Sequence, residues 1–112
     1  MQALQKGDIV SPTVTSEIAE GIIQFFKEST ATRTHDIYVG ITNDVERRLF
    51  NEHNVDKNQR DNWVYFKAFS ADQARLVESV LIEKADFDGG EGGGGEDCVF
   101  VYAFLKTPNT KR

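Results

Sequence analysis

The chain has one cysteine, two prolines and one methionine in 112 residues, and no excess of positive charge. The single cysteine, Cys98, excludes an intramolecular disulfide and a cysteine-rich zinc site. It fits a reducing compartment and reads as a small buried residue beside a strand. No apolar run approaches the length that spans a bilayer, and the amino terminus has no apolar signal core. A soluble, cytoplasmic protein with no membrane association is therefore expected. The net charge of -5 argues against a broad basic surface. Five of the acids, Asp86, Asp88, Glu91, Glu96 and Asp97, fall in one segment without Lys or Arg, and the remainder balances at thirteen acids and thirteen bases. A local basic patch stays compatible with that remainder.

The length suits a single domain over 1–112 with one modest core. Residues 1–15, with Gly7, Pro12 and scattered Ser and Thr, read as a loosely ordered arm. Ile18, Ala19, Ile22, Ile23, Phe25 and Phe26 recur at helical spacing from Ser16 to about Ser29, although Gly21 leaves a strand over 22–26 as the alternative. Alternation over 36–42 predicts a strand with Ile37, Val39 and Ile41 on one face and Tyr38, Gly40 and Thr42 on the other. Asn43 and Glu46 make a capping-box pattern for a helix ending near His53. A polar loop leads to a second strand, 63–69, and Ser70 with Gln73 starts a helix through about Ala85. The segment 86–97, with six glycines and five acids, reads as a flexible acidic connector. A third strand covers 99–106, before Pro108. The order predicts an α+β domain, a small three-stranded sheet flanked by helices.

Tyr38-Val39-Gly40, a polar link and Arg47-Arg48-Leu49 resemble the second half of the GIY-YIG nuclease signature. Ala74-Arg75-Leu76-Val77-Glu78-Ser79-Val80-Leu81-Ile82 is similar to the later helix of that family. The resemblance covers about residues 36–85 and implies Tyr38, Arg48 and Glu78 as catalytic residues. Glu78 would hold the metal, Mg2+ or Mn2+, weakly and with help from substrate oxygens. It also implies a nucleic-acid substrate, with a possible protein partner supplying specificity. The family's first tyrosine is missing, since Gly21-Ile22-Ile23 has Ile in its place. The histidine often found one turn after the arginine would fall at Glu52, with His53 one step further on, and the family's late asparagine has no match. The carboxyl-terminal strand could fill the vacant sheet position as a circularly permuted equivalent, placing Tyr102 near Tyr38 as a fourth catalytic residue that acts with Tyr38 on the attacking water. Opposite faces for the two tyrosines would refute that arrangement.

Each residue also has a plainer role. Tyr38 suits a half-buried strand position, and Arg48 borders the buried side of its helix, where a structural ion pair is the alternative. Arg47 faces solvent and could touch phosphate. His53 is expected as a surface or capping residue that could contact nucleic acid. Glu78 sits among Ala74, Val77, Leu81 and Ile82, so it needs a partner: either a metal or an ion pair with Arg75. Trp63, Tyr65, Phe66 and Phe69 are core and sheet aromatics, one of which could stack on a base. Two functions follow, a metal-dependent nuclease and a noncatalytic module binding nucleic acid or protein.

Overall fold

The computed structural model describes residues 12–29, 33–90 and 95–112. Strand β1, Ile37–Thr42, is the middle of the domain, and all six of its residues are buried. Its alternation places Ile37, Val39 and Ile41 in the larger core, while Tyr38 belongs to a second cluster with Leu49, Val55, Tyr102 and Phe104. Complete burial on both faces follows because each face is covered by a different layer.

The sheet has four strands, not the expected three, in the order β2-β4-β1-β3. Here β2 is Trp63–Lys67, β3 is Asp88–Gly89 and β4 is Phe100–Leu105. The added strand, β3, is two residues long and pairs parallel to Tyr38 and Val39. It arises within the segment expected to be a flexible connector. Asp88 is fastened there by Lys106 at 2.8 Å and Arg112 at 3.1 Å, so its charge is locally neutralised. Glu91 lies outside the described residues. The carboxyl-terminal strand β4 is antiparallel to both neighbours: Gly40 and Tyr65 both lie opposite Tyr102, and Tyr38 and Trp63 both lie opposite Phe104.

Two helices cover the face of the larger core. Helix α1, Pro12–Ser29, buries Ile18, Ala19, Ile22 and Phe26. It begins four residues before the expected Ser16, and a proline is well suited to a first helical position because its φ is already helical. Residues 1–11 of the expected arm lie outside the described residues. Helix α2, Ala71–Ala85, starts at Ser70, whose side chain accepts the Gln73 amide while Gln73 accepts the Phe69 amide. Asp86, at φ 64°, ends it in the left-handed region. Its buried stripe is Ala74, Val77, Glu78 and Leu81.

The opposite face is covered by a short helix whose cap is Asp44, which accepts the Arg47 amide at 3.1 Å, and not the expected Asn43. Residues Arg47–Glu52 widen into a π-helical turn, in which the His53 amide donates to the Arg48 carbonyl at 2.9 Å. Asn54, at φ 61°, then closes the turn, and the Val55 amide returns to the Leu49 carbonyl. Asn tolerates this left-handed conformation better than most residues.

Gly40 is the position where β1 and the Tyr102 ring approach most closely. A Cβ at Gly40 would overlap the Tyr102 hydroxyl and lie 2.6 Å from Cζ. The strand cannot retreat, because it is paired on both sides. Gly40→Ala is expected to destabilise the domain by about 1–3 kcal/mol, the usual cost of overpacking. Urea denaturation checks this, and an unchanged midpoint would contradict the packing described.

Candidate active site

The π-helical turn determines what the second face can do. In an α-helix, positions four apart share a face, whereas the wider π turn aligns positions five apart. Arg48 and His53 are five apart, and both reach the hydroxyl of Tyr102. Arg48 Nε donates to it at 3.1 Å, and His53 Nε2 lies 2.7 Å away.

The direction of the second bond follows from the far side of the ring. His53 Nδ1 is 2.6 Å from the Lys111 carbonyl oxygen, which can only accept. Nδ1 therefore carries the proton of the neutral imidazole, Nε2 is bare, and Tyr102 donates to it. Burial, which disfavours the charged ring, holds the His53 pKa below its ordinary value, with the charge of Arg48 acting in the same direction. Tyr102 is pushed up to about 12, chiefly by burial, against the opposing hydrogen bond and charge of Arg48. Both shifts act in the same sense, a phenol made harder to ionise and an imidazole made harder to charge, so the proton stays on Tyr102.

Tyr38 and Tyr102 share one face of the sheet, on adjacent strands. Tyr38 stacks on Phe104 with centroids 5.3 Å apart and lies 5.0 Å from His53. Its hydroxyl occupies the space where Gly90 lacks a side chain. Burial raises its pKa, Arg48 opposes the rise, and Glu78 and Asp88 add to it.

Contrary to its expected surface placement, His53 is buried, with both nitrogens engaged. The signal was present as a histidine near the arginine, but α-helical spacing turned it away from the site. Glu52 takes the exposed position and pairs with Arg48 at 2.6 Å and Arg47 at 3.1 Å. Arg47 is exposed, as expected, and also donates to Asn43. The Arg48 side chain is about 40% exposed.

Glu78 comes from α2, in the layer on the other side of the sheet. It makes no direct bond to either phenol, but its charge is near enough to raise both. Of the two partners considered for Glu78, the ion pair with Arg75 does not form: Arg75 pairs with Asp72 at 2.9 Å and acts on Glu78 through its charge. Among the described residues no sealed side-chain oxygen lacks a hydrogen-bond partner. Among the described residues Glu78 has no hydrogen-bond partner, and it is 6% exposed. Burial pushes its pKa up to about 7.

A divalent ion would meet one carboxylate here. No group of three or more His, Cys, Asp or Glu side chains able to hold a metal occurs among the described residues. An available carboxylate without a hydrogen-bond partner fits an Mg2+ or Mn2+ ion whose remaining ligands are water and substrate oxygens, and does not fit a tight ion bound by protein alone. Among the described residues no helix is long and apolar enough to cross a membrane. Compared with known proteins, the chain matches no protein-family model, no curated protein and no solved structure.

The elevated Glu78 pKa has a stability consequence. The unfolded carboxyl loses its proton near 4.5 and the folded one near 7, so the contribution of Glu78 is greatest below pH 4.5 and is lost as pH rises through 7. The loss amounts to about 3 kcal/mol. Glu78→Gln removes it, so the variant is expected to be more stable than the parent at pH 8, with the difference shrinking toward pH 5. Thermal denaturation at both values checks this; a variant less stable at pH 8 would contradict it.

Proposed function

We propose that this chain is a nuclease-like domain of the GIY-YIG type that hydrolyses phosphodiester bonds in DNA or structured nucleic acid. The observation that carries the reading is the Tyr102 hydroxyl shared by Arg48 and His53, on the same face as Tyr38. In this reading β4 takes the place of the family's missing first strand, and Tyr102 takes the place of the missing tyrosine. The π turn compensates for the histidine lying one residue late.

The roles follow from exposure and bonding. Arg48 meets the scissile phosphate, since its side chain is partly exposed, and stabilises the charge that develops on the phosphoryl oxygens. Tyr38, on the same face as Tyr102 and beside His53, orients the attacking water in this reading. Tyr102 is fully buried, so it acts as a positioning residue that fixes the angle of Arg48. Neutral His53 accepts the hydrogen bond from the Tyr102 hydroxyl, which leaves the phenol oxygen turned to accept from Arg48. Glu78, whose charge is felt at both phenols although it comes from the opposite layer, would hold the divalent ion, which supplies Lewis acidity at the phosphate when bound. Specificity would come from a protein partner or from further surface on this chain.

One observation favours a noncatalytic nucleic-acid- or protein-binding module. Glu52 stands where a histidine is common in the family and occupies both arginines that a phosphate would need. A cleavage assay with Mg2+ or Mn2+, beside a salt-dependent binding titration, separates the two. The nuclease reading predicts that Glu78→Ala abolishes cleavage without unfolding the domain, and that Arg48→Ala lowers it by about 10²–10³-fold. Metal-dependent cleavage that survives Glu78→Ala would overturn the site assignment, and binding without any cleavage would favour the module.

A further inference from the structure

The face that carries Tyr38 and Tyr102 continues sideways onto the edge strand β2. Trp63 and Tyr65 are two residues apart and so point to the same side, opposite Phe104 and Tyr102. Their rings are parallel to within 1°, with centroids 6.4 Å apart, and form an aromatic ledge along the edge strand. Tyr65 is 46% exposed, unusual for a large aromatic side chain in a sheet. Trp63 is pinned by the bond from its Nε1 to the Lys57 carbonyl and by edge contact with Phe50.

One cation stands over this pair of rings and a second over the neighbouring Phe50. The Arg60 guanidinium lies 5.4 Å from the Trp63 ring centre, and the Lys57 ammonium lies 5.0 Å from that of Phe50. The rings and cations line one groove of about 420 Å³, large enough for a small organic group. Glu46 also lines it and sits 3.9 Å from Lys57, a long surface pair that holds Lys57 only weakly. Cations beside exposed rings suit a ligand with a planar, apolar face and a nearby negative charge.

From this we infer that the groove of Phe50, Lys57, Arg60, Trp63 and Tyr65 binds an unpaired nucleotide of a single-stranded nucleic-acid segment, with the base against Tyr65 and Trp63 and its phosphates toward Lys57 and Arg60. Stacking of this kind is tolerant of base identity, because every base offers a π-face. Tyr65 and Tyr102 are cross-strand neighbours, and sheet strands lie about 4.8 Å apart. A strand leaving the Arg48 site would therefore meet the ledge next. The inference deepens the proposed function, since it rests on reading this face as a nucleic-acid surface.

Trp63 is the single tryptophan of the chain, so its fluorescence reports on the groove directly. The intact chain is titrated with an unlabelled oligothymidylate in the absence of divalent ions, so that binding is read without cleavage. Quenching of Trp63 is expected. Tyr65→Ala should weaken the binding by roughly five- to one-hundred-fold, and Tyr65→Phe, which keeps the ring, should restore it. Replacing Lys57 and Arg60 together by Ala should reduce the slope of log affinity against log salt by about 1.4. The inference is overturned by an absence of quenching, by binding indifferent to Tyr65→Ala, or by quenching with a proline-rich peptide and not with the oligonucleotide. Cleavage without quenching would reject the groove and leave the nuclease reading standing, whereas quenching without cleavage would reject the nuclease and leave the groove.

Discussion

A single phenolic hydroxyl ties the second face of this domain together. Tyr102 projects from the middle of the sheet over Gly40, accepts from Arg48 and donates to His53. Each partner is constrained from its other side. Glu52 holds Arg48, and the Lys111 carbonyl holds the His53 ring while the Lys111 amide donates to the His53 carbonyl at 2.7 Å. Removing the hydroxyl would leave His53 Nε2 buried without a partner, a defect that costs about 1–3 kcal/mol. The arrangement therefore couples the π-helical turn, the central strand and the carboxyl-terminal segment.

The two faces of the sheet divide the labour of the fold. On one, aliphatic side chains from β1 and β4 meet α1 and α2 and supply most of the buried apolar surface. On the other, a smaller aromatic cluster supports polar groups that would be expensive to bury alone. Glu78 departs from this division, as a carboxyl held in the apolar stripe of α2 with its pKa raised to about 7. A carboxylate kept there without a bonded partner opposes stability near neutral pH, a pattern more often found where a ligand is to be met than where a core is to be filled.

Much of this was legible in the sequence because the strands and helices carry strong periodicities. Ile37, Val39 and Ile41 announce β1 by alternation, and Ser70 with Gln73 marks the start of α2 through reciprocal amide bonds. The same alternation assigned Tyr38 and Tyr102 to their respective strands. That they share a face was a matter of pairing register, which local sequence does not specify. The short strand β3 is not legible in the sequence, because two residues have no period and its pairing depends on distant Lys106 and Arg112. His53 was misplaced for a related reason. A π turn breaks the 3.6-residue rule at one point, and nothing in the composition of 47–53 marks it. The cap at Asp44 was offset by one residue, since both Asn43 and Asp44 are good caps.

If Tyr102 is the hub described, the protonation of His53 is dictated by its neighbours and not by solvent. Nitrogen-15 NMR of the imidazole ring at pH 7 tests this most directly. The account predicts a neutral ring with its proton on Nδ1 and an unprotonated Nε2 whose shift responds to Tyr102→Phe. A proton found on Nε2, or a ring that is already charged at that pH, would contradict it.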